Sequence, residues 1–161
     1  MRIIIVDDKD SLINYKERNK NDFKKDIYRV SALWIINSKG EILLAKRAYN
    51  KKQNHCKGCP AVAGTVEKGE SYKSNIVKEA EEELGIKNIK LKKGKKDFVK
   101  GKYKHFIQWF NLVIDKDINK IKYLEEEVAE IKWFTKNENL NIIKNNSDEM
   151  LEEIKDRIKI S

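Results

Sequence analysis

The chain has 161 residues, of which 40% are hydrophobic and 38% charged, and this predicts one domain, 1–161, with its own buried core. No apolar run approaches the roughly 18 residues of a membrane span, and the opening MRIIIV is too short for a secretory signal, so we expect a cytoplasmic protein with no membrane partner. The net charge of +9 favours polyanionic partners such as nucleotides or RNA, although a lysine-rich solvated surface gives the same charge.

The first third of the chain is predicted to form strands. Residues 1–6 and 30–37 are rich in branched and aromatic side chains. The turn NSKG leads from the second of these segments into EILLAKR, which predicts a hairpin over 30–47. Residues 1–28 are expected to form an N-terminal strand followed by a polar extension that holds a short helix or a loop.

Both cysteines lie in the segment HCKGC, residues 55–59, within a stretch that we expect to be irregular. Together with His55, Cys56 and Cys59 offer half of a zinc site. Structural zinc sites usually have four protein ligands, however, and the chain has no second cysteine pair. We therefore favour two ordinary reduced thiols.

A helix is predicted after this stretch. Ser71 is a suitable N-cap, and Gly85 is a suitable stop after Leu84. An apolar stripe along this helix predicts that it docks on a sheet; its members are Ile76, Val77, Ala80 and Leu84.

The second half of the chain predicts two more strands, 103–114 and 128–135, and a C-terminal helix over 147–160. Ser147 is the expected cap of that helix, which buries Leu151, Ile154 and Ile158. The order of elements indicates an α+β fold in which a mixed β-sheet lies between α-helices. The lysine-rich segment LKKGKKDFVKGKYKH has little of the arginine and aromatic interleaving that favours single-stranded nucleic acid.

Three glutamates share one edge of the predicted helix. Glu79, Glu82 and Glu83 fall within an arc of about 100° beside the apolar stripe. Carboxylates crowded in a partly buried place raise one another's pKa, and Mg²⁺ or Mn²⁺ would relieve this. Lys78 lies beside them, where it can orient or balance a glutamate. An exposed acidic face balanced by lysines is the alternative interpretation.

The segment from Gly64 to Ile86 resembles the Nudix box, whose pattern is G-x5-E-x7-R-E-U-x-E-E-x-G-U, with U an aliphatic residue. Every fixed position agrees except the arginine, which is Lys78 here. Lysine keeps the positive charge but lacks the planar fork that makes two parallel hydrogen bonds to a carboxylate.

The resemblance implies a mixed sheet between helices and a reaction in which water cleaves a nucleoside diphosphate linked to another group. It also implies a Mg²⁺ or Mn²⁺ cofactor, which neutralises the diphosphate and activates the water. The implied metal ligands are Glu79, Glu82, Glu83 and the carbonyl group of Gly64. Glu79 or a later glutamate would help to deprotonate the water, and Glu70 would support the loop.

Members of this family often use a further acidic residue outside the box. The candidates are Glu126, Glu127 and Glu130, and we favour Glu127. Arg29 and Arg47, assisted by Lys46, are candidate phosphate contacts because guanidinium groups suit phosphate oxygens. Each of the three could also be an ordinary surface charge.

The aromatic side chains at strand spacing admit two interpretations. They could stack on a nucleotide base, but at this spacing they more often belong to a core. The residues concerned are Trp34, Trp109, Trp133, Phe106 and Phe110.

The segments that flank the box, YRVSALWIINSKGEILLAKRA and PAVAGTVEKGES, resemble the branch of the superfamily that contains isopentenyl-diphosphate isomerases. True isomerases have a catalytic cysteine and metal-binding histidines where this chain has Val62, Ala63 and Gly64, with Tyr28 ahead of Arg29. We therefore favour hydrolysis of a small nucleotide derivative. An isomerase and an RNA 5′-end pyrophosphohydrolase are the alternatives.

Overall fold

The computed structural model describes residues 1–47, 58–123, 125–126 and 128–160. Within these ranges the chain forms a mixed nine-stranded sheet and three α-helices, which confirms the predicted α+β class. The strands are β1 (Arg2–Val6), β2 (Leu12–Glu17), β3 (Ile27–Ile36), β4 (Ile42–Arg47), β5 (Gly58–Pro60), β6 (Val62–Thr65), β7 (Lys92–Lys100), β8 (Lys104–Val113) and β9 (Val128–Phe134). The helices are α1 (Tyr72–Leu84), α2 (Lys136–Asn145) and α3 (Glu152–Ile160). None of the helices among the described residues is long and apolar enough to cross a membrane.

The sheet is organised around β3. This strand runs parallel to β8 from Tyr28 opposite His105 to Ile36 opposite Val113. It is antiparallel to β1, β4 and β6 at different points along its length. In the described sheet, β2 pairs with β1, β7 with β8, and β9 with β4. The parallel β3–β8 pair makes the sheet mixed, as predicted.

Two hydrophobic layers cover the two faces of the sheet. On β3, Leu33 and Ile35 face α1, whereas Ala32 and Trp34 face α3, because successive strand residues point to opposite faces. The layer under α1 includes Ile76, Ala80 and Leu84, all with 0% exposure, and the layer under α3 includes Ile154 and Ile158, also with 0%. The helices therefore lie on both sides of the sheet.

The helix α1 forms as its local sequence predicts. The Ser71 hydroxyl accepts a hydrogen bond from the Ser74 backbone N–H, and Gly85 ends the helix with a φ of +63°. Of the predicted apolar stripe, only Val77 is exposed, at 39%, because it lies at the margin of the stripe. α1 is thus anchored at both ends and along one face.

Several elements differ from the predictions. The polar extension contains the strand β2, whose backbone is satisfied by pairing with β1. The lysine-rich strand β7 pairs with β8, and α2 begins after the cap residue Thr135. The predicted C-terminal helix over 147–160 is shorter, since Ser147–Glu149 form a separate 3-10 turn and α3 begins at Glu152. Charged side chains on β2 and β7 hid these strands, because the strands are stabilised by backbone hydrogen bonds to a neighbouring strand and not by an alternating apolar pattern.

Candidate functional site

Glu79 lies on the docked side of α1, directly against β6. A Cβ atom added to Gly64 would lie 2.5 Å from the Glu79 Cγ, much closer than non-bonded carbon atoms approach. The Glu79 side chain can therefore occupy this place only because residue 64 has no side chain. The Glu79 side chain is 16% exposed.

The surroundings of Glu79 disfavour its negative charge. Burial raises the pKa of this carboxyl, Lys78 opposes the shift, and the nearby carboxylates of Glu82 and Glu70 add to it. An incoming cation would relieve this unfavourable energy, so the position is suited to binding positive charge.

Lys78 is surrounded by three carboxylates, a set that we call the Lys78 cluster. Its Nζ lies 2.6 Å from Glu70 Oε1, 2.9 Å from Glu67 Oε1 and 3.8 Å from Glu79 Oε1. Burial lowers the pKa of Lys78, but the hydrogen bonds to Glu70 and Glu67 outweigh burial and hold it above the usual value. One positive charge therefore faces three negative charges, and the cluster retains surplus negative charge.

Asn75 connects this cluster to the sheet. Its side chain has 0% exposure, and its Oδ1 accepts a hydrogen bond from the Ser31 hydroxyl. Its Nδ2 faces Glu70 Oε2 at 2.9 Å and Glu79 Oε1 at 3.4 Å. Sequence reasoning missed Asn75, although a polar residue one turn before Glu79 on the docked face is a recognisable signal.

The loop before α1 is closed by Glu70. Its Oε2 accepts a hydrogen bond from the Glu67 backbone N–H at 3.0 Å, and Gly69 adopts a φ of +88° that suits glycine. Glu70 thus joins the loop to both Asn75 and Lys78. Glu67, which the sequence analysis did not single out, enters the site through this turn.

A second ion cluster, which we call the Asp10 cluster, lies at the start of α1. The Asp10 carboxylate is 7% exposed and lies 2.6 Å from Arg29 Nε and 2.6 Å from Lys96 Nζ. The Tyr72 hydroxyl donates to it at 3.0 Å. Burial opposes ionisation of Asp10, but the hydrogen bonds from Lys96 and Arg29 outweigh burial and lower its pKa. Arg29, a predicted phosphate contact, is therefore paired with a carboxylate in this structure.

Comparison with known proteins decides the family. Residues 26–154 match the family model described as the NUDIX domain. The chain belongs to the Nudix family. The match covers all of the box, including Lys78 at the position of the arginine.

Individual Nudix proteins show the same relationship. The chain is 29% identical over 85 residues to an uncharacterised Nudix hydrolase from Yersinia pestis, a match that covers 53% of this chain and 47% of that protein. It is similar to the crystal structure of DR0079 from Deinococcus radiodurans, with a TM-score of 0.78, 20% identity and coverage of 91% and 90%. A MutT protein from Methanosarcina mazei gives a TM-score of 0.62, 24% identity and coverage of 71% and 81%. At identities of 20% and 24%, the similarity to these two structures establishes the fold of this chain alone.

The predicted Nudix metal ligands differ in exposure. Glu82 is exposed, and Glu83 and Glu79 are partly buried. In the described part of the chain, no group of three or more acidic, histidine or cysteine side chains is preassembled to hold a metal ion. The chemistry of the donors still fits, since Mg²⁺ needs only a few carboxylates when substrate phosphates and water complete its shell. The ligand assignment stays a prediction.

The candidate acidic and phosphate-binding residues outside the Nudix box lie in different parts of the structure. Glu127 lies outside the described residues, and Glu126 is exposed in a turn. Glu130 lies on β9 with its carboxylate 3.8 Å from Lys46 Nζ, and both residues line a small pocket against α2, on the sheet face away from α1. Arg47 is the last residue of β4, where its backbone pairs with Val128. Its side chain lies outside the part of the protein that the structure describes.

The cysteine and aromatic residues are mainly structural. Cys59 is buried in β5, and its thiol donates to the Ala45 carbonyl at 3.2 Å; Cys56 and His55 lie outside the described residues. Trp133 is half-buried, and its ring N–H donates to the Lys116 carbonyl at 3.3 Å. The other predicted aromatic residues are in the core, with exposures of 8% or less; they are Trp34, Trp109, Phe106 and Phe110.

Proposed function

We propose that this Nudix protein is a divalent-metal-dependent hydrolase that cleaves the pyrophosphate bond of a nucleoside diphosphate linked to another group. The observation that carries the proposal is the partly buried Glu79 carboxylate, packed on Gly64 beside Glu82 and Glu83. Its raised pKa and the surplus negative charge around Lys78 favour a cation at this point.

Glu79, Glu82 and Glu83 are the proposed ligands of Mg²⁺ or Mn²⁺, together with the Gly64 carbonyl. When bound, such an ion supplies positive charge to the diphosphate and lowers the pKa of water. Carboxylates are the side chains that these hard cations prefer, which supports the assignment.

The side chains of this protein have separate roles in the proposed reaction. Glu79 or a later glutamate is the proposed acceptor of the proton from the attacking water, since a carboxylate held beside the reacting centre suits that role. Asn75 and Lys78 orient Glu79, since both contact its Oε1. Arg29 and Arg47 are the proposed phosphate contacts, and Glu127 is the proposed additional acid.

A substrate panel tests this proposal. The protein would be incubated with nucleoside triphosphates, dinucleoside polyphosphates, nucleotide sugars, ADP-ribose and 5′-triphosphorylated RNA, each with Mg²⁺, with Mn²⁺ or with a chelator. We expect metal-dependent release of a nucleoside phosphate from at least one compound and no release with the chelator. If folded protein hydrolyses none of them with either ion, or if the chelator leaves hydrolysis unchanged, the proposal is wrong.

The finer placement near the isopentenyl-diphosphate isomerases stays a prediction. Hydrolysis is favoured because Val62, Ala63 and Gly64 stand where isomerases have reactive or metal-binding side chains. Incubation with isopentenyl diphosphate distinguishes the two reactions: an isomerase yields the rearranged diphosphate without releasing phosphate. Appearance of that product would favour the isomerase alternative.

A further inference from the structure

A surface of lysine and aromatic side chains lies beside the start of α1, and we call it the cation–aromatic face. It is formed by Tyr15, Lys68, Lys96, Phe98, Lys100 and Lys104. Lys68 Nζ lies 5.1 Å from the centre of the Tyr15 ring, and Lys100 Nζ lies 5.1 Å from that of Phe98. Lys96 Nζ lies 5.7 Å from the ring centre of Tyr72.

These residues lie on one side of the sheet, although they come from three separate parts of the chain. Tyr15, Tyr72 and Phe98 pack on the same buried cluster, which contains Phe106. Phe98 lies opposite Phe106 and stacks on it, with ring centres 4.5 Å apart. Lys100 and Lys104 lie opposite each other one step further along the same strands. The lysines therefore surround a row of half-buried rings.

The face carries positive charge that the rest of the described protein does not neutralise. Lys68, Lys100 and Lys104 make no ion pair with any described residue, whereas Lys96 pairs with Asp10. Like charges directly opposite each other on neighbouring strands are unfavourable, as for Lys100 and Lys104. Lys68, Lys96 and Lys100 each lie within 5.7 Å of a ring centre, and the weak cation–π attraction at these distances favours their positions on this face.

The position of the face connects it to the Nudix box. Lys68 lies in the box loop next to Glu67, which binds Lys78. Lys96 contacts Tyr72, the first residue of α1, and Glu79 follows seven residues later, about 10 Å along the helix. A chain whose terminal phosphates lie at Glu79 can therefore continue across the cation–aromatic face.

We propose that the cation–aromatic face binds the sugar–phosphate backbone of single-stranded RNA and extends the active site from a small nucleotide to an RNA 5′ end. The proposal rests on the proposed function, because hydrolysis at Glu79 requires the terminal phosphates. Neighbouring ammonium groups suit successive phosphates, and the half-buried rings that these lysines uncover on turning to the phosphates suit unpaired bases, which a duplex or a membrane surface does not offer.

Binding of an RNA without reactive phosphates tests the face separately from the reaction. Fluorescence anisotropy would measure the affinity of a 5′-hydroxyl single-stranded RNA of about 12 nucleotides over a range of salt concentrations. We expect the triple variant Lys68→Ala, Lys100→Ala, Lys104→Ala to bind roughly tenfold more weakly and to reduce the salt slope by about 2. All three side chains are exposed, so the variant is expected to fold.

The matched control removes three exposed lysines from the opposite side of the sheet: Lys132→Ala, Lys144→Ala, Lys159→Ala. Lys132 also lies over an aromatic ring, 5.0 Å from the centre of Phe134. The control has the same net charge as the test variant and should bind RNA as the unmodified protein does. Equal weakening in both variants, absence of RNA binding, or stronger binding to duplexes or anionic vesicles would overturn the proposal.

The outcomes also separate the two proposals. Lysine-dependent RNA binding without hydrolysis of any diphosphate would leave the cation–aromatic face standing and contradict the proposed function. Hydrolysis of small nucleotides without RNA binding would support the proposed function and contradict the proposed role of the cation–aromatic face.

Discussion

Two ion clusters contact α1, and their net charges are opposite in sign. Each cluster adjoins a different surface of the protein. The Asp10 cluster surrounds one carboxylate with Arg29 and Lys96 at the first residue of the helix. The Lys78 cluster surrounds one ammonium group with three carboxylates in the middle of the helix. The first retains surplus positive charge beside the cation–aromatic face, and the second retains surplus negative charge beside the proposed metal ligands. A single helix thus separates a surface suited to a polyanion from one suited to a divalent cation.

The two clusters also differ in burial. The Asp10 side chain is 7% exposed and that of Lys78 is 32% exposed. Leaving charged partners unpaired is more unfavourable where water is excluded, so the Asp10 cluster should contribute more to folding. The Lys78 cluster should contribute more to the reaction, because it contacts Glu79.

The largest expected effect is the loss of turnover in Glu82→Gln. The substitution removes a charge from the proposed metal site, and we expect kcat to fall by more than about 100-fold, since even groups that only orient a metal ligand contribute 10- to 100-fold. The control is Glu81→Gln, on the same turn of α1, whose carboxylate is exposed and pairs with Lys87 at 2.9 Å. Full activity in Glu82→Gln, with the hydrolysis assay otherwise unchanged, would contradict the ligand assignment.

Asp10→Asn should have the next largest effect, on stability. Asparagine tolerates the positive φ of this position, +64°, and so removes the charge while keeping the backbone. We expect the free energy of unfolding in urea to fall by about 2 kcal/mol, because Arg29 and Lys96 lose a charged partner. Asp8→Asn, in the same turn but exposed, should change it little. Equal stability of the two variants would show that the Asp10 cluster does not stabilise the fold.

Lys78→Met should have a smaller effect on stability, about 1 kcal/mol, because this cluster is more exposed. The variant leaves Glu67, Glu70 and Glu79 without their shared cation, so added Mg²⁺ should raise its melting temperature more than that of the unmodified protein. Lys73→Met, exposed on the same helix, serves as the control. The interpretation is wrong if Mg²⁺ affects both variants equally.

The smallest expected effect is the change with pH of the stability difference between the unmodified protein and Asp10→Asn. Because the pKa of Asp10 is lowered in the folded state, its stabilisation is present above the ordinary value of 3.8 and is lost as the pH falls through the lower folded value. The stability gap between the unmodified protein and Asp10→Asn should therefore be constant near neutral pH and close below pH 3.8. A gap that persists under those conditions would indicate that burial or packing, and not charge, stabilises the cluster.

Sequence reasoning was most successful where the signal is local. The caps Ser71 and Gly85 and the apolar residues of α1 predicted that helix and its docked face. It was less successful for β2 and β7, whose charged side chains resemble a loop while their backbones pair with a neighbouring strand. The spacing places Glu79, Glu82 and Glu83 on one edge of α1, but among the described residues no such group is preassembled to hold a metal ion, since side-chain direction depends on the packing around each glutamate.

The sequence by itself determined which side chains share α1, because a helix turns by a constant angle and therefore brings Lys78, Glu79 and Glu82 close together wherever it forms. Only the tertiary structure decided what faces that helix. Asp10, Arg29 and Lys96 meet across large separations along the chain, and Tyr15 and Phe98 reach the same face through different strands. Such contacts depend on strand register and sheet order, which no local spacing encodes.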